Sequence, residues 1–333
     1  MFEAARAAKK PAQPYTKYLV LFLVLTIGSV WGLSLFYLFA HDTAVAVLGD
    51  LELLSPVVIV ILHSPAIATL LILLHYDGGR GVANFARTLI PRRRDLIWVP
   101  VLMLTMLGYI FAVRYLCVTF GVPVPPETLT PPGMALTFLR LFVMEVGMVA
   151  IAIGWFGFFL PFVQRVTGSP VVAGVATGLG IGIFVAPGNL FASFELATAW
   201  PLYVAQLCVL GVGMALLLNR MKGNVLFFLL PFWVSASGSH FKLYYFMVST
   251  QLIQLVLFSL LVLLGYVVLR RQGHGVLDPP TSFPEYLEHA YTARAHAVVP
   301  GVGDASRERR ATAARPLEPA ALEPAAVGQE DLA

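Results

Sequence analysis

The ionisable side chains that fall inside apolar stretches decide what chemistry this chain can do. Glu145 is the one carboxylate in the run MEVGMVAIAIGWFGFFLP (residues 144–161), which is otherwise apolar enough to lie in lipid. An ionised group at that depth costs about 3 kcal/mol on insertion scales, so it calls for a partner or a function. Arg140 precedes it by five residues, and Arg114 and His63 lie at similar depth in neighbouring stretches. One reading pairs Glu145 with Arg140 or Arg114 as a structural ion pair, because a buried arginine needs a carboxylate or backbone carbonyls. Alternatively, the two arginines snorkel to outer headgroups, or they face one cavity and hold a phosphate or carboxylate bidentately. His63, Arg114 and Arg140 are therefore the candidate ligand-binding side chains. His63, His240 and Glu145 would supply three zinc ligands from three different helices. Nothing like HExxH accompanies them, so the sequence calls for no metal and no other cofactor.

Such residues must be positioned by membrane helices. Of 333 residues, 58% are hydrophobic and 12% charged, and the mean hydropathy is +0.81. A soluble chain would carry about twice that charge. Windows of about 20 apolar residues fall near 18–40, 53–75, 96–120, 134–160, 170–187, 200–219, 225–246 and 248–270. The fold class is all-α: a polytopic membrane protein of about eight transmembrane helices. The first run is too long for the apolar region of a cleavable signal.

Charge bias sets the expected orientation. With the N-terminus inside, the inner segments hold Arg6, Lys9, Lys10, Lys17, Arg80, Arg87, Arg92, Arg93, Arg94, Arg165, Arg220, Lys222, Arg270 and Arg271. The outer loops hold Lys242 beside Asp42, Asp50, Glu52, Glu127 and Glu195. The positive-inside rule then places both termini in the cytoplasm, and the expected location is the bacterial inner membrane. Because the basic residues are confined to loops, the net charge of +4 does not indicate nucleic-acid binding. The expected partners are membrane lipid or a membrane-embedded peptide. No protein partner is legible.

The organisation reads as a cytoplasmic N-terminal segment (1–17), a transmembrane domain (18–271) and a disordered cytoplasmic tail (272–333). The tail is rich in Pro, Ala, Arg and Glu, as in RERRATAARPLEPAALEPAA, and cannot bury a core. Gly174, Gly178 and Gly182 recur at four-residue spacing in the fifth window, a pattern that lets helix backbones approach closely in lipid. Gly78-Gly79-Arg80-Gly81 reads as a turn between helices, not a phosphate loop, since no GK[ST] follows. Cys117 and Cys208 lie inside apolar windows and read as small core residues.

The stretch from about Leu19 to Leu243 resembles the CPBP family, the type II CAAX prenyl endopeptidases and bacteriocin-processing proteins, which are glutamate-dependent intramembrane proteases. Trp31, then SPAIATLLILLHYDGGRGVANFARTLIPRRRDLIW, follow that family's order of a tryptophan, a Pro-Ala-rich helix, a Gly-Arg turn and a basic loop. The family's first motif, approximately EExGWRGxxLPxLQ, aligns with IAIGWFGFFLPFVQ. Gly154, Trp155, Gly157, Leu160, Pro161 and Gln164 are kept. Its paired glutamates fall on Ile151 and Ala152, and its arginine on Phe156. The second motif, roughly WHLPLF, falls on FVAPGNL, with Pro187 kept and Val185 at the histidine position. The third falls on GNVLFFLLPFWVSA, with Phe232 for histidine and Ala236 for asparagine. The resemblance implies a CAAX-protease-like helical bundle. In the family the glutamate activates a water while histidines and an asparagine surround the substrate carbonyl. Ile151, Ala152, Val185, Phe232 and Ala236 can neither take a proton nor stabilise an oxyanion.

Polar groups stand near the erased positions. Glu145 lies six residues before the lost glutamate pair, Asn189 four after Val185, and His240 four after Ala236. With the expected topology, all three shifts run outward by about 6 to 9 Å at helical rise. Glu145, Asn189 and His240 thus form a hypothetical relocated catalytic site, although six residues turn a helix by about 240°. Two function readings follow. The first is a pseudoprotease that binds a membrane peptide or a lipid-linked ligand. The alternative is a membrane enzyme acting on an amphiphilic isoprenoid or lipid through the relocated cluster. A transporter would want an internal repeat, and none is evident.

Overall fold

The computed structural model describes residues 15–50, 55–90, 93–126, 129–144, 146–190, 199–221, 223, 234, 238 and 240–278. These lie in one compact unit within Met1–Tyr286. Among the described residues every regular element is helical. The chain is an all-α polytopic membrane protein: among the described residues six helices are long and apolar enough to cross a membrane, or up to seven spans if a bent pair counts as one.

The helices follow the apolar windows. Helix α1 (Tyr15–Phe39) is followed by the short α2 (His41–Leu48). Then α3 (Pro56–Leu62) and α4 (Ser64–Leu89) form the bent pair, at 58° to one another. Proline explains the break, since Pro65 stands at the start of α4, where its missing N–H removes no helical bond. Farther along α4, Gly78 adopts φ 63° and ψ −165°, so the expected turn at the glycine cluster is present as a kink. Only a residue without Cβ takes that backbone freely.

Helix α5 (Trp98–Thr119) and α6 (Pro131–Met144) follow, then α7 (Val146–Ile151). The chain continues through a π-helical segment, Ala152–Phe159, into α8 (Leu160–Thr167). Gly168, at φ 69°, ends α8 and returns its N–H to the Gln164 carbonyl. Helices α9 (Pro170–Leu190), α10 (Trp200–Met221) and α11 (Val248–Arg271) complete the described bundle. The eighth window, 225–246, lies largely outside the described residues. Its described end, from His240 to Lys242, forms turns, and Lys242 has φ 55°.

Helices α9 and α10 run antiparallel with their backbones in contact. A Cβ at Gly174 would sit 2.6 Å from the Val212 Cα, and one at Gly178 would sit 2.5 Å from the Cys208 Cα. One turn on, Gly182 faces Val204. The four-residue glycine spacing is therefore a helix-packing seam. Cys117 is buried, Cys208 half-buried, and both are free thiols.

The ordered chain also runs past α11. Asn219 donates through Nδ2 to the Val276 carbonyl at 2.6 Å and accepts from Gln164 Nε2 at 3.0 Å. The Tyr266 hydroxyl donates to Asp278 at 2.9 Å. Residues 273–278 are thereby tied to α10 and α11, and through Asn219 to α8. The remainder of the tail lies outside the described residues.

Candidate functional site

Gly154, Trp155, Gly157, Leu160, Pro161 and Gln164 are all buried. A π-helix widens the turn, and here the Leu160 N–H reaches the Trp155 carbonyl five residues back. The widened segment is clamped on both sides by missing side chains. Gly154 lies against Pro65 at the α3–α4 break, and Gly180 of α9 lies against the Trp155 indole. Trp155 is fully buried. Its indole meets Phe22 edge-on at 5.1 Å, Phe159 at 5.0 Å and Phe184 at 6.1 Å. Phe22, Phe158 and Phe162 continue the aromatic stack towards Tyr18. These rings explain why a π-helix, usually confined to one bulge, holds for eight residues.

Of the positions where the resemblance would put charged or catalytic groups, Ala152 and Phe156 are part of that packing. Ala152 is 3% exposed and Phe156 1%. Ile151 and Val185 are half-buried. Phe232 and Ala236 lie outside the described residues. Within the stack the Trp155 Nε1 is buried without a hydrogen-bond partner among the described residues. A single neutral donor among phenyl rings has no means of moving a proton.

The other expected site residues are described only in part. Glu145 lies outside the described residues, as does the side chain of Asn189, whose backbone belongs to the last turn of α9. His240 is exposed in a turn, so the helical spacing from Ala236 that placed it beside the other two does not apply to it. His63 occupies the α3–α4 break, with Nδ1 2.7 Å from the Ile59 carbonyl. Arg140 is exposed on α6. Arg114, near the end of α5, donates to the Leu243 carbonyl at 2.9 Å and to the Pro125 carbonyl at 3.4 Å. Its guanidinium thus fastens two loops through backbone oxygens, the second of the two kinds of partner a buried arginine accepts.

Sequence reasoning missed a neutral polar cluster beside Arg114. Thr250, Gln251 and Gln254 are at most 2% exposed in the first turns of α11. Cys117 Sγ lies 3.8 Å from Thr250 Oγ1, across the α5–α11 contact. The Tyr109 phenol shares a hydrogen bond with the Gln206 side chain, and the Tyr244 phenol with that of Gln254. Among the described residues both ends of the Gln251 carboxamide lack a partner, and so does Gln254 Oε1. The signal was present, since VSTQLIQLVLF sets two glutamines three residues apart in an apolar run. Amides and phenols orient polar groups, and they are poor acids and bases near neutral pH.

At the opposite end of the same three helices lies an open groove. It is formed by α5, α10 and α11 and encloses about 240 Å³. Leu102, Met106, Leu210, Met214, Phe258 and Val262 make its walls, Gly213 packs against Val262, and Gly265 leaves room in them. A Cβ at Gly265 would meet nothing within 4 Å. Trp98, Arg220 and Gln272 stand at one end. The Arg220 guanidinium lies 5.8 Å from the Trp98 ring centroid, and its Nε is buried without a hydrogen-bond partner. The chain matches no known family model and no curated protein.

Proposed function

We propose that this protein is a catalytically diverged, CAAX-protease-like membrane protein that binds a lipid-linked ligand, with the ligand's hydrocarbon chain in the α5–α10–α11 groove. The groove is the observation that carries the reading. From Leu210 to Met221, both in its wall, α10 rises about 16 Å at 1.5 Å per residue, close to one leaflet of a hydrocarbon core about 30 Å thick. A slot of one leaflet's depth with apolar walls and a cationic end has the dimensions of an acyl or isoprenyl chain attached to a polar head.

The buried scaffold letters Trp155, Leu160 and Gln164, beside apolar Ala152 and Phe156, support a bundle whose old reaction centre has become packing. On this reading the partner is a membrane amphiphile, the protein resides in the bacterial inner membrane, and both termini are cytoplasmic. Arg220, Arg270 and Arg271 then stand at the cytoplasmic ends of α10 and α11, where basic residues favour the inner side.

Native mass spectrometry of the full-length protein, extracted from its membrane in mild detergent, tests the reading. Wild type should retain a lipid-mass adduct that Gly265→Phe loses, because that ring would occupy the groove. An adduct equally abundant in both proteins would overturn the reading. So would Glu145-dependent cleavage of a prenylated or membrane-embedded peptide.

A further inference from the structure

The groove's cationic end carries information about the head of its occupant. Arg220 lies on the last turn of α10. Among the described residues its one recorded interaction is with the Trp98 ring, and its buried Nε makes no hydrogen bond. A guanidinium normally satisfies its donors, and leaving a charged one unmet inside a protein costs more than a neutral one. Among the described residues no carboxylate lines the groove to supply that partner. The remaining polar groups there are the Gln272 carboxamide, the Thr105 hydroxyl and the Trp98 indole.

From this we infer that the groove selects an amphiphile whose head is a phosphate, held by Arg220. The inference rests on the lipid-binding reading above and adds the class of head. Three features favour a phosphate over a neutral head. The planar guanidinium presents paired N–H groups that match phosphate oxygens bidentately. The Trp98 ring beside it limits the directions in which the guanidinium can turn and excludes water from one face. The Gln272 amide, just past the end of α11, supplies a neutral donor at the same mouth. A zwitterionic head would also bring a cation beside Arg220, where no described side chain lining the groove is acidic to receive it. A phosphate monoester meets the charge without that conflict.

The test uses the full-length protein in nanodiscs of neutral phosphatidylcholine, with two photoactivatable probes of identical chains, phosphatidic acid and diacylglycerol. In wild type, phosphatidic acid should label peptides from α5, α10 and α11 about tenfold more than diacylglycerol does, the worth of roughly one charge-assisted hydrogen bond. Arg220→Gln should bring phosphatidic acid labelling down to the diacylglycerol level and leave diacylglycerol labelling unchanged. Arg220→Lys, which keeps the charge and loses the fork, should fall between the two. Gly265→Phe should abolish labelling by both.

Equal labelling of wild type by the two probes, still abolished by Gly265→Phe, would overturn the phosphate inference and leave the groove as a chain site. Labelling that avoids these three helices, or survives Gly265→Phe, would overturn the groove reading and this inference with it. The wild-type comparison needs no variant to fold. An excess of phosphatidic acid labelling that Arg220→Gln does not reduce would also count against Arg220 as the head's ligand.

Discussion

The two faces of α10 use glycine in opposite ways. Towards α9, Gly211 meets Gly174 backbone to backbone, and a Cβ on either residue would collide with main-chain atoms. Towards α11, Gly213 stands 3.0 Å, measured from its ideal Cβ, from a Val262 methyl, while Gly265 faces open space. On the first face the missing side chains close the helices together, and beyond α9 the aromatic stack around Trp155 fills the interior. On the second face the open space beside Gly265 of α11 belongs to a groove. Close approach in lipid rewards small residues through dispersion and backbone contact. An apolar slot left open to the bilayer keeps its shape when a chain occupies it. The comparison teaches that the segment around Trp155 is closed by aromatic packing, whereas the open space lies among α5, α10 and α11.

Substitutions separate the two faces by the size of their effects. Gly178→Leu should be the most damaging, because its Cβ would already sit 2.5 Å from the Cys208 Cα. Overpacking against backbone should cost at least about 3 kcal/mol, and the purified protein should be unstable or absent from the membrane fraction. Thermal unfolding in detergent, followed by the loss of monodispersity, would check this. A Gly178→Leu protein as stable as wild type would dissolve the contrast between the faces.

Restoring the motif's charged letters in the aromatic half should come next. Ala152→Glu or Phe156→Arg buries a charge where the structure provides no partner, at a cost of about 3 kcal/mol. Neither variant should gain peptidase activity on a prenylated peptide. The measurement is the same unfolding assay, together with mass-spectrometric detection of cleavage products.

Arg114→Gln should have an intermediate effect. Losing charge-assisted bonds to the Leu243 and Pro125 carbonyls should cost about 1.5 to 3 kcal/mol. The loss should appear as faster hydrogen exchange in residues 240–247, with little change in α9. If exchange rises evenly across the bundle instead, Arg114 serves the whole core and not that loop.

Gly265→Phe should be the mildest for stability. The position is open, and replacing a helical glycine by a larger residue recovers up to about 0.5 kcal/mol of helix propensity. Its unfolding temperature should match wild type within error while ligand retention disappears. That separation of stability from binding is what distinguishes a groove from a packing defect.

Much of the fold was legible because membrane helices announce themselves by length and apolarity. Seven of the expected windows meet a described span or, for 53–75, the bent pair. The glycine seam was legible for the same reason, since its spacing fixes one helical face. The kink at Gly78 was readable from glycine clustering, and the break at His63 was not, because a proline at the start of α4 gives no sign that a second helix precedes it. The π-helix was equally hidden. Its cause is tertiary, in Gly154 against Pro65 and Trp155 against Gly180, and no local pattern encodes such contacts. Reasoning from charge drew attention to Glu145, Arg114 and Arg140, whereas the buried polar groups of α11 are neutral glutamines and a threonine. The groove left no trace in any single helix. It exists only where Gly213, Gly265 and Trp98 from three helices meet, so no one-dimensional signal could have revealed it.

The most direct test is a cryo-electron microscopy map of the full-length protein in nanodiscs of native lipid. The account predicts elongated density lying between α5, α10 and α11 and ending at Arg220, with side chains alone filling the space around Trp155. A closed groove, with non-protein density or a water-filled chamber at Ile151 and Ala152 instead, would contradict it.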